Sequence, residues 1–200
     1  HNGTLVAPAG WYQPPAAGVW AINCSGTGRG GFTNQSDFEW DYNDRWTISG
    51  YTGTVSSTYA GFYVKRLGSS PASTSYRGPA IFFNNGNVDI YFVSQWGASA
   101  IHVVGSGTAT NIKAAGVWWH IVVTYDGSSN ASGITVWIDG VIHTVGNGKL
   151  TAVVDTLGTN TTINSVDPIV CNDTVAYGFP IGGADQMNIW KGVTVTPEQA

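Results

Sequence analysis

Residues 118–140, WWHIVVTYDGSSNASGITVWIDG, contain two β-strands and the turn that leads into a third. The β-branched run at 121–124 favours a strand over a helix, and Asp126-Gly127 ends it. In residues 134–138 a period of two places Ile134, Val136 and Ile138 on one face and Thr135 and Trp137 on the other, which again indicates a strand. Asp139-Gly140 then separates this strand from another apolar run, and Asp-Gly at such a place is a strong hairpin signal because it accepts positive φ. The stretch therefore predicts a β-meander.

A second hairpin is predicted by the same turn chemistry at Asn85-Gly86, between apolar runs at 79–84 and 88–94. Further strands are predicted at 46–51, 60–67 and 101–104, and a closing strand at 187–195. After it, Thr196, Pro197 and Gln199 have the pattern of a helix start. The chain ends one residue later, which indicates either a cut from a longer polypeptide or a single terminal turn.

The central stretch resembles the motif W-H-H-V-x-V-T-Y-D-G-S-x-x-x-x-G-V-x-I-Y-V-D-G of laminin-G-like domains, members of the concanavalin A-like jelly-roll group. Three further segments follow in the family's order: FEWD at 38–41 with RWTIS at 45–49, YRG at 76–78, and residues 181–190 with VTPE at 195–198. The resemblance implies an all-β, two-sheet antiparallel jelly-roll sandwich over residues 18–200. Residues 1–17, rich in Pro, Ala and Gly, read as an extended lead-in with little regular structure. The resemblance says less about function, because this fold serves many unrelated roles.

Composition narrows the classes of function. Only 10% of the 200 residues are charged, the net charge is −4 and the basic residues are scattered, which argues against nucleic acid binding. No apolar run reaches the ~20 residues of a membrane span, so no membrane insertion is expected. The 27 Gly, 9 Trp and 9 Tyr suit short strands joined by polar turns, a composition found in extracellular adhesins and virion fibres. Cys24 and Cys171 are either bridged or two small buried apolar residues.

Three acidic residues near the start of the domain could be either catalytic or structural. Glu39, Asp41 and Asp44 have the E-x-D-x-x-[DE] spacing of laminarinase-type glucanases, in which two carboxylates flank the scissile bond. The laminin-G-like pattern places them before the first central strand rather than deep in a sheet. We therefore interpret them as turn and edge acids, and expect a protein that is not an enzyme.

The resemblance also implies a metal. Laminin-G-like and related jelly rolls often hold one structural Ca²⁺ with a carboxylate and several backbone carbonyl oxygens, which suits a hard cation. The predicted carboxylate is Asp185, with Asp126 as a second choice. The alternative is that Asp185 only accepts backbone N–H bonds in a turn.

Sugar binding needs flat aromatic rings on a solvent face, because the C–H face of a sugar packs on a ring while its hydroxyls seek directional partners. The candidate carbohydrate-binding residues are Trp96, Tyr76, Trp137, Trp40 and Tyr51, with Tyr59 as a further aromatic. For Trp96 a structural role, such as stacking against Arg77, is an equal alternative. Trp137 points away from the apolar face of its strand.

The sequence thus predicts a non-catalytic carbohydrate-binding or adhesion module, excised from a larger extracellular or virion-surface protein such as a phage fibre, whose partner is a glycan. The alternative is a structural domain that contacts neighbouring domains of the parent protein. A glycoside hydrolase using Glu39 and Asp44 ranks third.

Overall fold

A computed structural model describes residues 3–6, 10–12, 21–23, 29–53, 59–66, 76–106, 117–170 and 183–200, with side chains from Gly30 onward except that of Tyr59. In chain order the strands are β1 Gly3–Val6, β2 Gly10–Tyr12, β3 Ala21–Asn23, β4 Arg29–Phe32, β5 Trp46–Thr52, β6 Tyr59–Val64, β7 Gly78–Asn84, β8 Asn87–Gln95, β9 Ser99–Gly105, β10 Trp119–Tyr125, β11 Ile134–Ile138, β12 Val141–Thr144, β13 Leu150–Asp155, β14 Ile169–Val170 and β15 Ala184–Lys191. Single 3₁₀ turns occupy Ser36–Phe38 and Ala131–Gly133. The described part contains no helix long and apolar enough to cross a membrane.

The strands form two antiparallel sheets that pack face to face. The eight-stranded sheet has the order β1-β4-β14-β6-β7-β8-β9-β13, and the seven-stranded sheet has the order β12-β11-β10-β5-β15-β3-β2. Each sheet combines strands that are neighbours in the sequence, such as β6-β7-β8-β9, with strands that are distant in it, such as β5 and β15, as in a jelly roll. The predicted all-β, two-sheet jelly-roll sandwich is therefore confirmed.

Both hairpins predicted from turn residues are present. In the first, which joins β11 to β12, Ile138 lies opposite Val141 and Thr135 opposite Thr144, and Asp139 and Gly140 both take positive φ, of 48° and 77°. In the second, Asn85 and Gly86 take φ of 53° and 83° between β7 and β8. Positive φ at both central residues gives a turn whose twist matches the flanking strands. Local sequence therefore fixes the register of both pairs.

Aromatic side chains fill the space between the sheets. The rings of Trp46 and Phe92 meet edge to face at 5.9 Å, and those of Phe92 and Tyr125 at 5.2 Å. Trp40 lies 6.2 Å from Trp46 and is only 1% exposed. Trp40 was predicted as a carbohydrate-binding residue. It is instead a core residue, because the loop before β5 turns its indole inward against Trp46 and Tyr63.

Both ends of the chain differ from expectation. The predicted lead-in contains β1 and β2, which pair with β4 and β3 as edge strands. Edge pairing uses backbone hydrogen bonds, so the sequence of residues 1–17 contains no apolar pattern that predicts β1 and β2. The closing strand ends at Lys191 rather than at residue 195, because Gly192 takes φ of 81°. Cys24 and Cys171 lie outside the described residues.

The C-terminal segment then crosses the outer face of the seven-stranded sheet. Thr47 Oγ1 donates to Val193 O and accepts from Val195 N. The segment ends in one turn in which Gln199 Oε1 accepts from Thr196 N, half of the predicted capping box.

Candidate ligand-binding surface

The turn between β8 and β9 presents an exposed tryptophan. Trp96 is 40% exposed, and Gly97 beside it takes φ of 77°, a conformation that suits glycine. Among the tryptophans whose side chains are described, Trp96 has the largest exposed fraction. A strand turn therefore displays the flat, amphipathic type of ring that ligand sites use.

Two tyrosines adjoin this tryptophan, and we call Tyr76, Tyr91 and Trp96 the aromatic platform. The ring centroids of Tyr76 and Trp96 are 4.8 Å apart, and those of Tyr91 and Trp96 are 5.8 Å apart. Tyr91 reaches this outer face because its strand neighbours Ile90 and Phe92 point into the core. The platform therefore joins residues from three places in the chain: the segment before β7, strand β8 and the β8–β9 turn.

A histidine on the next strand, β9, supports the platform. The His102 imidazole stacks on the Tyr91 ring at 4.1 Å with 13° between the planes. Its Nε2 lies 2.7 Å from Oδ1 of Asp89, whose side chain is almost fully buried. Tyr91 is thus fixed from one side by the ring of its cross-strand partner, which is itself held by a carboxylate.

Tyr76 has a strained backbone. Its φ is 62°, in the left-handed region that bulky residues avoid, and such strain clusters at functional sites. The Arg66 guanidinium carbon lies 4.6 Å from the centroid of the Tyr76 ring and 5.1 Å from that of Phe82. The arginine in stacking contact with this cluster is therefore Arg66. Arg77, the partner suggested for Trp96, instead donates from Nε to Ser94 O.

The remaining aromatic candidates lie elsewhere. Tyr51, on the outer face of the seven-stranded sheet, is 37% exposed and stacks on His120 with centroids 4.8 Å apart. Burial lowers the pKa of His120 below its usual value, although Asp139 opposes this. Trp137 is half-buried on the same sheet, opposite Ile142 of β12. The structure therefore brings Trp96 and Tyr76 together and leaves Tyr51 and Trp137 on the other sheet. The Tyr59 side chain lies outside the described residues.

The acids with glucanase-like spacing are engaged in turns. Asp41 Oδ1 accepts from the backbone N–H groups of Tyr42 and Thr162, and Asp44 Oδ2 accepts from Asp41 N. Glu39 Oε1 accepts from the Asn34 side chain. These bonds agree with the interpretation of the three residues as turn and edge acids.

The two acids predicted to bind calcium also cap turns. Asp185 Oδ1 accepts from Gln186 N, and Asp126 Oδ1 accepts from Ser128 N. Within the described ranges no group of three or more His, Cys, Asp or Glu residues could hold a metal. A site made of one carboxylate and backbone carbonyl oxygens needs no such group, so calcium at Asp185 or Asp126 stays a prediction.

Tyr91, His102 and Asp89 were not predicted as site residues. The signal was available, since β8 alternates core residues with Asp89 and Tyr91. Alternation shows that two side chains share a face, but not that a turn and a distant segment complete an aromatic cluster there.

Comparison with solved structures supports the fold. The binding domain of Paraclostridial Mosquitocidal Protein 1 superposes with a TM-score of 0.64 at 14% identity, over 98% of this chain and 45% of that one. The mouse laminin α1 chain, domains LG4-5, matches with a TM-score of 0.56 at 11% identity, over 84% of this chain and 40% of that one. The CBM40 of the Ruminococcus gnavus IT-sialidase matches with a TM-score of 0.59 at 13% identity, over 89% and 92% of the two chains.

The chain spans less than half the length of the toxin and laminin chains and most of the sialidase module. No protein-family model and no curated protein sequence matches it. The likeness to a laminin G-like jelly roll that the sequence predicts is thus confirmed at the level of fold.

Proposed function

We propose that the domain is a non-catalytic glycan-binding module and that the sugar lies against the aromatic platform of Tyr76, Tyr91 and Trp96. One observation carries the proposal: Trp96 is exposed on a strand turn, in ring contact with two tyrosines. A sugar ring packs its C–H face on such a surface, because the faces of aromatic rings are flat and apolar.

The structural neighbours favour the same class of ligand. The R. gnavus CBM40 has been solved bound to α2,3-sialyllactose, and domain 4 of an extracellular arabinanase from Geobacillus stearothermophilus has been solved with arabinotriose. Both are modules of similar fold attached to larger glycan-active proteins. By analogy, this domain serves an extracellular or virion-surface protein by holding it on a glycan, without catalysis of its own.

A protein partner is the second candidate. The binding domain of botulinum neurotoxin DC, which shares the fold, has been solved in complex with rat synaptotagmin II. The outer face of the seven-stranded sheet offers Tyr51 and Ile142 as exposed side chains for such a contact. A domain that contacts its neighbours in a parent protein would use a face of this kind.

A glycan array separates the two candidates. The intact domain, shown to be folded by its thermal melting, is applied once with Ca²⁺ and once with EDTA. Binding to a defined class of glycan supports the proposal, and loss of that binding in EDTA would indicate that calcium takes part. A folded domain that binds no glycan in either condition would overturn the glycan proposal in favour of a protein partner.

A further inference from the structure

A buried lysine and a buried asparagine meet where the loop before β14 crosses the ends of β6 and β7. Lys65 directly follows β6 and is 1% exposed. Its Nζ donates to Asn164 O at 2.7 Å and to Asn164 Oδ1 at 3.0 Å. Among the described residues no carboxylate lies within ion-pair distance of this ammonium group. Such a cation is costly to bury, because two neutral oxygens replace its water.

The surroundings of Lys65 make its neutral form more accessible than that of an exposed lysine. Burial lowers the pKa of Lys65 to about 8, while the carboxylates of Glu39 and Asp167 oppose the shift. With a pKa near 8, roughly a tenth of the chains carry an uncharged amine at neutral pH. An uncharged lysine amine held in a desolvated site is a nucleophile.

The amide of Asn164 is held in a fixed orientation. Its Nδ2 donates to the backbone oxygens of Lys65 and Arg77, and its Oδ1 accepts from Val166 N. Hydrogen bonds to Oδ1 draw electrons away from Cγ, as donors do in an oxyanion hole. Gly78 makes the approach possible, since a Cβ at this residue would collide with Lys65 O and Asn164 Nδ2.

We propose that Lys65 and Asn164 become joined by an intramolecular isopeptide bond. The neutral Nζ attacks Cγ of Asn164, the Nζ–Cγ bond forms, and the Cγ–Nδ2 bond breaks. Of the two amine protons, one stays on the new amide and the other leaves with Nδ2 as ammonia. No oxidant, metal or cofactor is consumed.

The cross-link would close a loop across a sequence separation of 99 residues. Closing so long a loop constrains the unfolded chain, as a disulfide does, but reduction would not open it. It would also tie β6 permanently to the loop that leads into β14, its neighbour in the sheet. A domain that holds a larger protein on a surface would resist unfolding under load in this way.

The intact mass of the reduced chain tests the proposal. We expect a mass lower than that of the sequence by one ammonia molecule, and full mass in Lys65→Arg. In Asn164→Asp the same attack would release water, so its deficit becomes one water molecule. After trypsin, residues 46–66 and 150–191 should travel as one branched peptide. A wild-type chain of full mass would overturn the proposal even if neither variant folds, as would an ammonia deficit that persists in Lys65→Arg.

The rate of the step supplies a second measurement. Chains denatured and purified in the unlinked form are refolded at pH 6, 7 and 8, and the linked fraction is followed by mass. Linking should accelerate with pH over this range as the fraction of neutral Lys65 grows about tenfold per pH unit below its pKa. A rate independent of pH would contradict attack by the amine.

Discussion

The imidazole of His102 lies almost parallel to the ring of Tyr91, 4.1 Å away, and stacks against the side of the aromatic platform from the neighbouring strand. Asp89 holds the imidazole through Nε2, so the imidazole has a fixed orientation. Platforms of this kind bind best when their rings are immobile before the ligand arrives, because ordering them on binding would cost free energy.

Replacing His102 should therefore weaken glycan binding without direct contact to the ligand. In His102→Ala the Tyr91 ring loses its stacking partner, which we expect to cost about 1 kcal/mol, or several-fold in Kd. His102→Phe keeps a ring beside Tyr91 and should retain most of the affinity. Titration of an array-identified glycan against both variants checks this. Equal affinity in wild type and His102→Ala would show that Tyr91 needs no support.

Tyr76 combines backbone strain with a ring contact, and two substitutions separate them. Tyr76→Gly and Tyr76→Ala both remove the ring beside Trp96, so both should weaken glycan binding. Only glycine relaxes the left-handed backbone, so Tyr76→Gly should be more stable than Tyr76→Ala by about 1 kcal/mol. Chemical denaturation measures the difference. If Tyr76→Ala were the more stable of the two, φ of 62° would not be a source of strain.

Gly78 and Gly97 both take positive φ but differ in the space around them. A Cβ at Gly78 would collide with Lys65 O and Asn164 Nδ2, whereas nothing lies within 4 Å of a Cβ at Gly97. Gly97→Ala should cost about 1 kcal/mol from backbone strain alone. Gly78→Ala should cost more than about 3 kcal/mol, because backbone atoms must move as well. Unfolding free energies that fall equally in the two variants would contradict the close approach at Gly78.

His143 should make the domain sensitive to mild acid. It is buried opposite Val136 on the core side of β12, and burial, followed by Lys149, lowers its pKa. Below about pH 6.5 the unfolded chain therefore binds more protons than the folded chain, so the free energy of unfolding falls as pH falls. His143→Leu should reduce this decline. The same substitution should lower the free energy of unfolding only slightly at pH 7.5, because His143 Nδ1 has no hydrogen-bond partner among the described residues. An identical pH profile in the two proteins would exclude His143 as the cause.

Local sequence predicted much of the fold, because turn residues and alternation act over short distances. Asp139-Gly140 and Asn85-Gly86 form the turns of the two predicted hairpins. Ile134, Val136 and Ile138 face the core, as their period of two requires. Local sequence could not predict which segments cover the outer face of a sheet. Thr47 is fully buried on such a face because the segment after Gly192 returns over it.

The site was predicted in part for the same reason. Trp96 and Tyr76 were candidates by residue type and do meet, but Tyr91 and His102 join them only through the pairing of β8 with β9. Trp40 and Trp96 are both tryptophans, but Trp40 is buried in the core and Trp96 is exposed. The residue type therefore indicates a candidate ring, whereas the tertiary fold determines which rings share a surface.

The most direct test of the glycan proposal compares three proteins on one glycan array: wild type, Trp96→Ala and Trp137→Ala. Trp137→Ala is the matched control, since it removes the same side chain from the other sheet. We predict that wild type and Trp137→Ala bind the same glycans and that Trp96→Ala, folded to the same extent, loses at least about fivefold in affinity, which corresponds to ~1 kcal/mol or more for a stacked ring. Binding that survives in Trp96→Ala and disappears in Trp137→Ala would place the ligand on the seven-stranded sheet and contradict the account.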